Sequence, residues 1–194
     1  AVKGPYKHFM QKEIFEQPGA VLDVMRGRYF PDGHVDMSDG VPFDAAWAKQ
    51  ITRVVLVGMG TSMHSAMIGR HYIERFARIP AEVDNAAEFR YRRPVLDSHT
   101  LVISIAQSGE TVDTLAAMDE ARRAGCPQIT ICNTPGAQTT RVADGTLLMR
   151  VGPEIAVAST KTMLASMLLL HGLSLYLGRL RGTHQCVGHG RRDS

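Results

Sequence analysis

The stretch Leu101-Val102-Ile103-Ser104-Ile105-Ala106-Gln107-Ser108-Gly109-Glu110-Thr111-Val112-Asp113-Thr114 decides the fold. Its first half is a continuous apolar run with β-branched Val102, Ile103 and Ile105, the pattern of a strand buried on both faces of a parallel sheet. Its second half turns polar, and residues 110–124 read as a helix. Gln107, Ser108 and Thr111 carry hydrogen-bond donors, and Gly109 lets the backbone approach a ligand closely. A helix that starts just after a parallel strand presents unpaired N–H groups and the positive end of its dipole, so an anion such as phosphate suits the position. The same residues also support a second interpretation, in which Ser108 simply caps the helix and Thr111 supports the cap.

The pattern repeats upstream. Residues 54–57 form a short apolar run that ends in Gly58-Met59-Gly60-Thr61-Ser62, and residues 63–77 follow with helical periodicity. A dinucleotide fingerprint would need a third glycine where Met63 stands, whereas the hydroxyl pair Thr61 and Ser62 suits a small phosphorylated ligand. Further strands are expected over 81–84, 128–132 and 146–151, a short helix over 86–91, and a long helix over 157–180. Before the first strand, residues 6–28 are helical in pattern, with Pro18 expected to divide them into two helices. A loop over 29–41 and a short helix over 43–51 anchored by Trp47 complete the chain. Strands alternating with helices predict an α/β fold, a three-layer αβα sandwich with a five-stranded parallel sheet. Ligands of such sheets lie beyond the carboxyl ends of the strands, near the point where strand order reverses. Three polar loops should converge there: Gly60-Thr61-Ser62, Gln107 to Thr111, and Val157-Ala158-Ser159-Thr160-Lys161. The expected organisation is a helical lead-in (1–42), a binding domain for a small phosphorylated ligand (43–182) and a disordered or non-native tail (183–194).

Length and charge narrow the function classes. The 194 residues suit one domain with a sizeable core, or one domain with an appendage. Net charge is +3 with acidic and basic residues mixed, so no continuous nucleic-acid footprint appears outside Arg90 to Arg93 and the basic stretch 179–192. Cys126, Cys132 and Cys186 are odd in number and lack metal-type pairing, which fits a reducing, cytoplasmic setting without a disulfide framework. In the tail, His184, Cys186 and His189 lack a fourth ligand, and nothing calls for a metal or cofactor. The amino end carries no signal-peptide pattern. The apolar window 163–177 is interrupted by Ser166, His171, Gly172 and Ser174, so a buried helix is expected and not a membrane span. The chain begins with Ala1 instead of Met, as a processed product or a piece of a longer protein would.

Five segments carry a family resemblance: Met10-Gln11-Lys12-Glu13-Ile14-Phe15-Glu16-Gln17-Pro18, Gly60-Thr61-Ser62, Ala87-Glu88-Phe89-Arg90-Tyr91-Arg92, Gln107-Ser108-Gly109-Glu110-Thr111 and Val157-Ala158-Ser159-Thr160-Lys161. Over residues 6–181 the chain resembles the glutamine:fructose-6-phosphate amidotransferases (glucosamine-6-phosphate synthases), in the first of their two sugar-isomerase (SIS) subdomains. The resemblance implies that Ser62, Gln107, Ser108 and Thr111 hold a sugar phosphate, while Thr61, Val157 and Ser159 line the pocket around the sugar chain. It further implies a hexose 6-phosphate ligand (fructose, glucose or glucosamine 6-phosphate), a homodimer, and an intact enzyme with a glutaminase domain and a second SIS half. That enzyme converts fructose 6-phosphate and glutamine into glucosamine 6-phosphate and glutamate.

The family's acid/base glutamate, ring-opening histidine and Schiff-base lysine belong to its second subdomain or carboxyl-terminal tail. None has a counterpart here, so no catalytic residue is assigned and the chain is expected to bind without completing the chemistry. The alternative is a free-standing SIS module that senses a sugar phosphate. Two positions depart from the family pattern: Met59 replaces a cysteine, and Ala106 replaces a serine, which removes one side-chain donor while a backbone N–H is expected to remain. Structural roles are expected for Glu88, Glu110, Glu154 and Lys161, with Glu110 favouring its own helix N-terminus and Lys161 making an ion pair or a carbonyl contact. Packing or interface contacts are expected for Arg90, Arg92 and Arg93, with neither nucleic acid nor membrane as partner.

Overall fold

The apolar runs become five strands, β1 (Arg53–Gly58), β2 (Ala81–Asn85), β3 (Thr100–Ile105), β4 (Gln128–Cys132) and β5 (Gly145–Leu148), in a computed structural model that describes residues 2–183. All neighbours pair in parallel, in the order β2-β1-β3-β4-β5. Every residue of β3 and β4 is buried, because helices cover both faces and successive side chains alternate between them. Leu101 and Ile103 join Leu56 and Ile129 in one core cluster, while Val102 joins Val55 and Val57 in the other. The predicted three-layer α/β fold is therefore the observed one.

Among the described residues seven α-helices connect and flank the strands: α1 (Phe9–Met25), α2 (Ala45–Gln50), α3 (Thr61–Tyr72), α4 (Ala86–Phe89), α5 (Val112–Arg123), α6 (Gln138–Val142) and α7 (Lys161–Arg181). The long helix α7 packs against α1, α2 and α3 on one face, and α5 touches α4 and α6 on the other. Among the described residues α7 alone has the length and apolar character to cross a membrane, yet 56% of that window is buried inside the protein. Leu169, Leu170, Leu173 and Leu177 are among its buried residues and belong to the larger core cluster.

Several elements differ from expectation. Pro18 does not divide α1, which runs unbroken through it. The carbonyl of Ile14, which a proline four residues on cannot bond, accepts instead from Gln17 Nε2 at 3.1 Å. Helix α3 begins at Thr61 and passes into a π-helical turn, Ile73–Ala77, stopped by Arg78 in the left-handed region at φ 55°. Strand β5 ends at Leu148, and Arg150 turns the chain at φ 60°. Helices α5 and α7 start at Val112 and Lys161, two and four residues later than expected. The segment Gln138-Thr139-Thr140-Arg141-Val142 of α6 has no apolar periodicity and gave no helix signal.

Other details follow the sequence. Trp47 stacks on Phe43 with ring centroids 3.7 Å apart, and its backbone N–H donates to Oδ1 of the capping Asp44. Cys126 and Cys132 are buried and unpaired, and burial pushes the Cys126 thiol up to about 11. Arg92 pairs with Asp84 and lies over the Phe89 ring, and Arg90 bonds the Tyr91 hydroxyl. The expectations for His184, Cys186, His189 and the tail they sit in lie outside the described residues.

Candidate functional site

Strand order reverses between β1 and β3, which are neighbours in the sheet while the helices that follow them, α3 and α5, leave toward opposite faces. A crevice opens where such chains part. It contains a cavity of about 370 Å³ lined by Met59, Gly60, Thr61 and Ser62 after β1, by Ile105, Ala106, Gln107, Ser108, Thr111 and Thr114 around the end of β3, and by Val157 and Ser159 before α7. Thr61, Ser62, Gln107, Ser108, Thr111, Val157 and Ser159, drawn from three separate loops, thus share one cavity.

Glycines shape two of the loops. Gly60, the N-cap of α3, adopts φ 53° and ψ −127°, a conformation costly for any residue with a Cβ. It places Thr61 and Ser62 in the first turn of α3, with the Ser62 N–H bonded to Met59 O at 3.1 Å. Gly109 stands at φ 69°, and a Cβ there would lie 2.6 Å from both Ala137 Cβ and Thr139 Oγ1. That close approach fastens the β3–α5 loop to the start of α6. Thr139 N–H donates to Gly109 O at 3.1 Å, and Gln138 N–H donates to Glu110 Oε1 at 2.8 Å. Glu110 therefore serves the N-terminus of α6 and not that of its own helix.

The hydroxyls in this loop are not caps of α5. Ser108 Oγ accepts from Glu110 N–H at 3.2 Å within the loop, which leaves its O–H as a donor. Thr111 is the N-cap residue of α5, yet its side chain makes no capping bond. The N–H groups of the first α5 turn have no intrahelical partner.

Gln107 and Ser159 are tied to the scaffold. Gln107 Nε2 donates to Glu154 O at 2.9 Å, using one of its two amide N–H donors. Ser159 Oγ donates to Glu154 Oε2 at 2.8 Å and accepts from Met163 N–H at 3.2 Å, so it builds the wall. Val157 stands fully exposed at the rim. The Ala106 N–H donates to Ile131 O at 3.0 Å, which corrects the expectation that it remains open to a ligand. Met59 packs on the cluster that contains Val55 and Phe89.

Among the described residues, no titratable side chain lines the cavity. Attraction for an anion comes from the two helix N-termini, each contributing about 0.3–1 kcal/mol where exposed. Glu154 lies just behind the wall. Burial pushes its carboxyl up, but hydrogen bonds from Thr162, Thr160 and Ser159 more than offset this and hold it below the usual carboxylate range. Lys161 is buried and pairs with Glu16 at 2.7 Å, the structural role expected of it. A larger cavity of about 490 Å³ lies between α1 and the segment after β5, lined in part by Lys12, Glu13, Glu16, Asp23 and Lys161. It suits an anion less well. Both lysines already pair with Glu16, at 3.3 and 2.7 Å, and Glu13 and Asp23 add further negative charge. The sequence pattern did not point to Glu13, a buried carboxylate whose spacing to the other buried α1 residues, Ala20 and Val24, was the available signal.

Known proteins resemble this chain in sequence and fold. The family model of the SIS domain matches residues 48–175. The glutamine–fructose-6-phosphate aminotransferases (isomerizing) of Streptomyces coelicolor and Corynebacterium glutamicum are 45% and 46% identical to it, each over 94% of this chain. The chain spans only 30% and 29% of the lengths of these relatives. The solved carboxyl-terminal domain of the glucosamine-fructose-6-phosphate aminotransferase of Francisella tularensis superposes with a TM-score of 0.86 at 32% identity, over 95% of this chain and 51% of that one.

Proposed function

The chain belongs to the SIS domain family, and on that premise we propose that its switch-point cavity binds a hexose 6-phosphate, as the sugar-holding part of the isomerase portion of a glutamine–fructose-6-phosphate aminotransferase. The observation that carries this reading is the convergence of three loops at two helix N-termini, where the polar side chains lining the cavity are hydroxyls and one amide, with no titratable group among the described lining residues. In this reading the phosphate takes the hydroxyls of Ser62, Ser108 and Thr111, the second amide N–H of Gln107 and the N-terminus of α5. The sugar chain extends past Thr61 toward Val157 and Ser159.

The whole reaction would turn fructose 6-phosphate and glutamine into glucosamine 6-phosphate and glutamate. Isomerisation moves a proton between adjacent carbons and needs a positioned acid/base group. The cavity offers none, so its share of the work is binding and orientation, which alone can lower a barrier substantially. We further propose a cytoplasmic homodimer: Phe15 and Leu22 on α1, 64% and 63% exposed, offer apolar surface to a second copy, and buried free thiols suit a reducing compartment. The uncharged lining also fits a free-standing sugar-phosphate sensor. The flanking coding sequence discriminates, since a glutaminase frame upstream or a second SIS half downstream favours the enzyme.

Titration with fructose 6-phosphate and glucose 6-phosphate tests the site. Ser108→Ala and Thr111→Ala each remove one hydrogen bond to a charged group and should weaken binding by about tenfold. Unchanged affinity in both variants removes the phosphate assignment.

A further inference from the structure

The wall formed by Val157 and Ser159 belongs to an irregular segment between β5 and α7, and two buried carboxylates grip it from opposite ends. At one end, Glu13 of α1, only 2% exposed, accepts from Ile155 N–H at 2.6 Å through Oε1 and from Ala156 N–H at 3.2 Å through Oε2. At the other, Glu154 accepts from Thr160 N–H at 2.8 Å and from the hydroxyl of Ser159 at 2.8 Å. The cavity-lining residues fall between or beside these grips. The carbonyl of Glu154 also receives Gln107 Nε2, which ties the segment to the loop after β3. A carboxylate so deeply buried is stable only while its partners are supplied, and the two amides would be left unpaired without it.

From this geometry we infer that Glu13 is a positioning residue of the sugar-phosphate cavity: lying outside its lining, it fixes the backbone at Ile155 and Ala156 and thereby sets where the Val157–Ser159 wall stands. The inference rests on the cavity binding a sugar phosphate, and it makes α1 part of the binding apparatus. The helix otherwise meets this region through the Glu16–Lys161 pair at the foot of α7.

The test compares the full chain with Glu13→Gln, which keeps one acceptor oxygen, and Glu13→Ala, which keeps none. Glucose 6-phosphate is titrated by calorimetry, and amide hydrogen exchange is followed in peptides covering residues 153–160 and, as a control, strand β3. We expect the Kd to rise about tenfold in Glu13→Ala and less in Glu13→Gln, with faster exchange in 153–160 and unchanged exchange in β3. Should Glu13→Ala fail to fold, Glu13→Gln with the same exchange pattern carries the comparison. A variant that binds as tightly as the wild type while its 153–160 amides exchange faster overturns the positioning role. Equal acceleration in β3 and in the wall overturns it too, because Glu13 would then serve only global stability. A wild-type chain that does not bind glucose 6-phosphate at all overturns the assignment of the cavity itself, an outcome read before any variant is compared.

Discussion

Ala106 shows how one residue can be both legible and misjudged. Its place in the lining follows directly from its offset before Gln107, but the fate of its N–H depends on the neighbouring strand, where Ile131 O takes it. Position 106 therefore offers a ligand neither a hydroxyl nor a backbone donor. Ala106→Ser adds the missing hydroxyl, and glucose 6-phosphate should bind more tightly by about 1 kcal/mol, roughly fivefold in Kd. An unchanged or weaker Kd would mean that this side chain does not meet the phosphate. The same contrast runs through the site. The lining positions of Thr61, Ser62, Ser108 and Thr111 follow from donor types at fixed offsets after apolar runs. Glu13 and its amide partners lie 142 and 143 residues apart in sequence, and no local pattern encodes that contact. Glu110 failed for a related reason, since its partner Gln138 belongs to a helix that left no periodic trace.

At the scale of elements, the ends were harder to place than the middles, and side chains decided them. Gln17 lets α1 continue through Pro18 by taking over the Ile14 carbonyl. Glu154 gathers Thr160, Thr162 and Ser159 at the foot of α7, so the helix starts at Lys161 and leaves Val157 to the cavity rim. Farther along α7, His171 is packed edge-on against Tyr72 and Phe76, and its Nδ1 lies 3.2 Å from the Tyr29 hydroxyl. Burial holds the imidazole below its ordinary pKa. The folded chain therefore binds fewer protons here than the unfolded one once pH drops toward the unfolded value of about 6.5. The stability this neutral ring contributes is fully present above that value and is lost as pH falls through the lower, folded pKa. Thermal melts of His171→Phe should be flatter with pH than those of the wild type between about pH 7.5 and pH 5. Identical slopes in the two proteins would show that this ring is not a source of the dependence.

For the whole molecule, the sheet order β2-β1-β3-β4-β5 is what turns separate polar loops into one cavity. Alternating strands and helices announced a parallel sheet, and right-handed crossovers limited the orders available to it. The pairing of β1 with β3 then fixed which loops meet. The exposed apolar positions of α1 lead us to expect twice the chain mass in light scattering at micromolar concentration, and a monomeric mass would contradict the proposed dimer. Two cavities could receive the phosphate, the one at the switch point and the larger one beside α1. The most direct measurement is the mapping of backbone amide NMR shifts during titration with glucose 6-phosphate. Saturable shifts at Thr61, Ser62 and Gln107 to Val112 are predicted. Shifts confined to Phe9, Lys12 and Glu16, with the β3–α5 loop unmoved, would contradict the account.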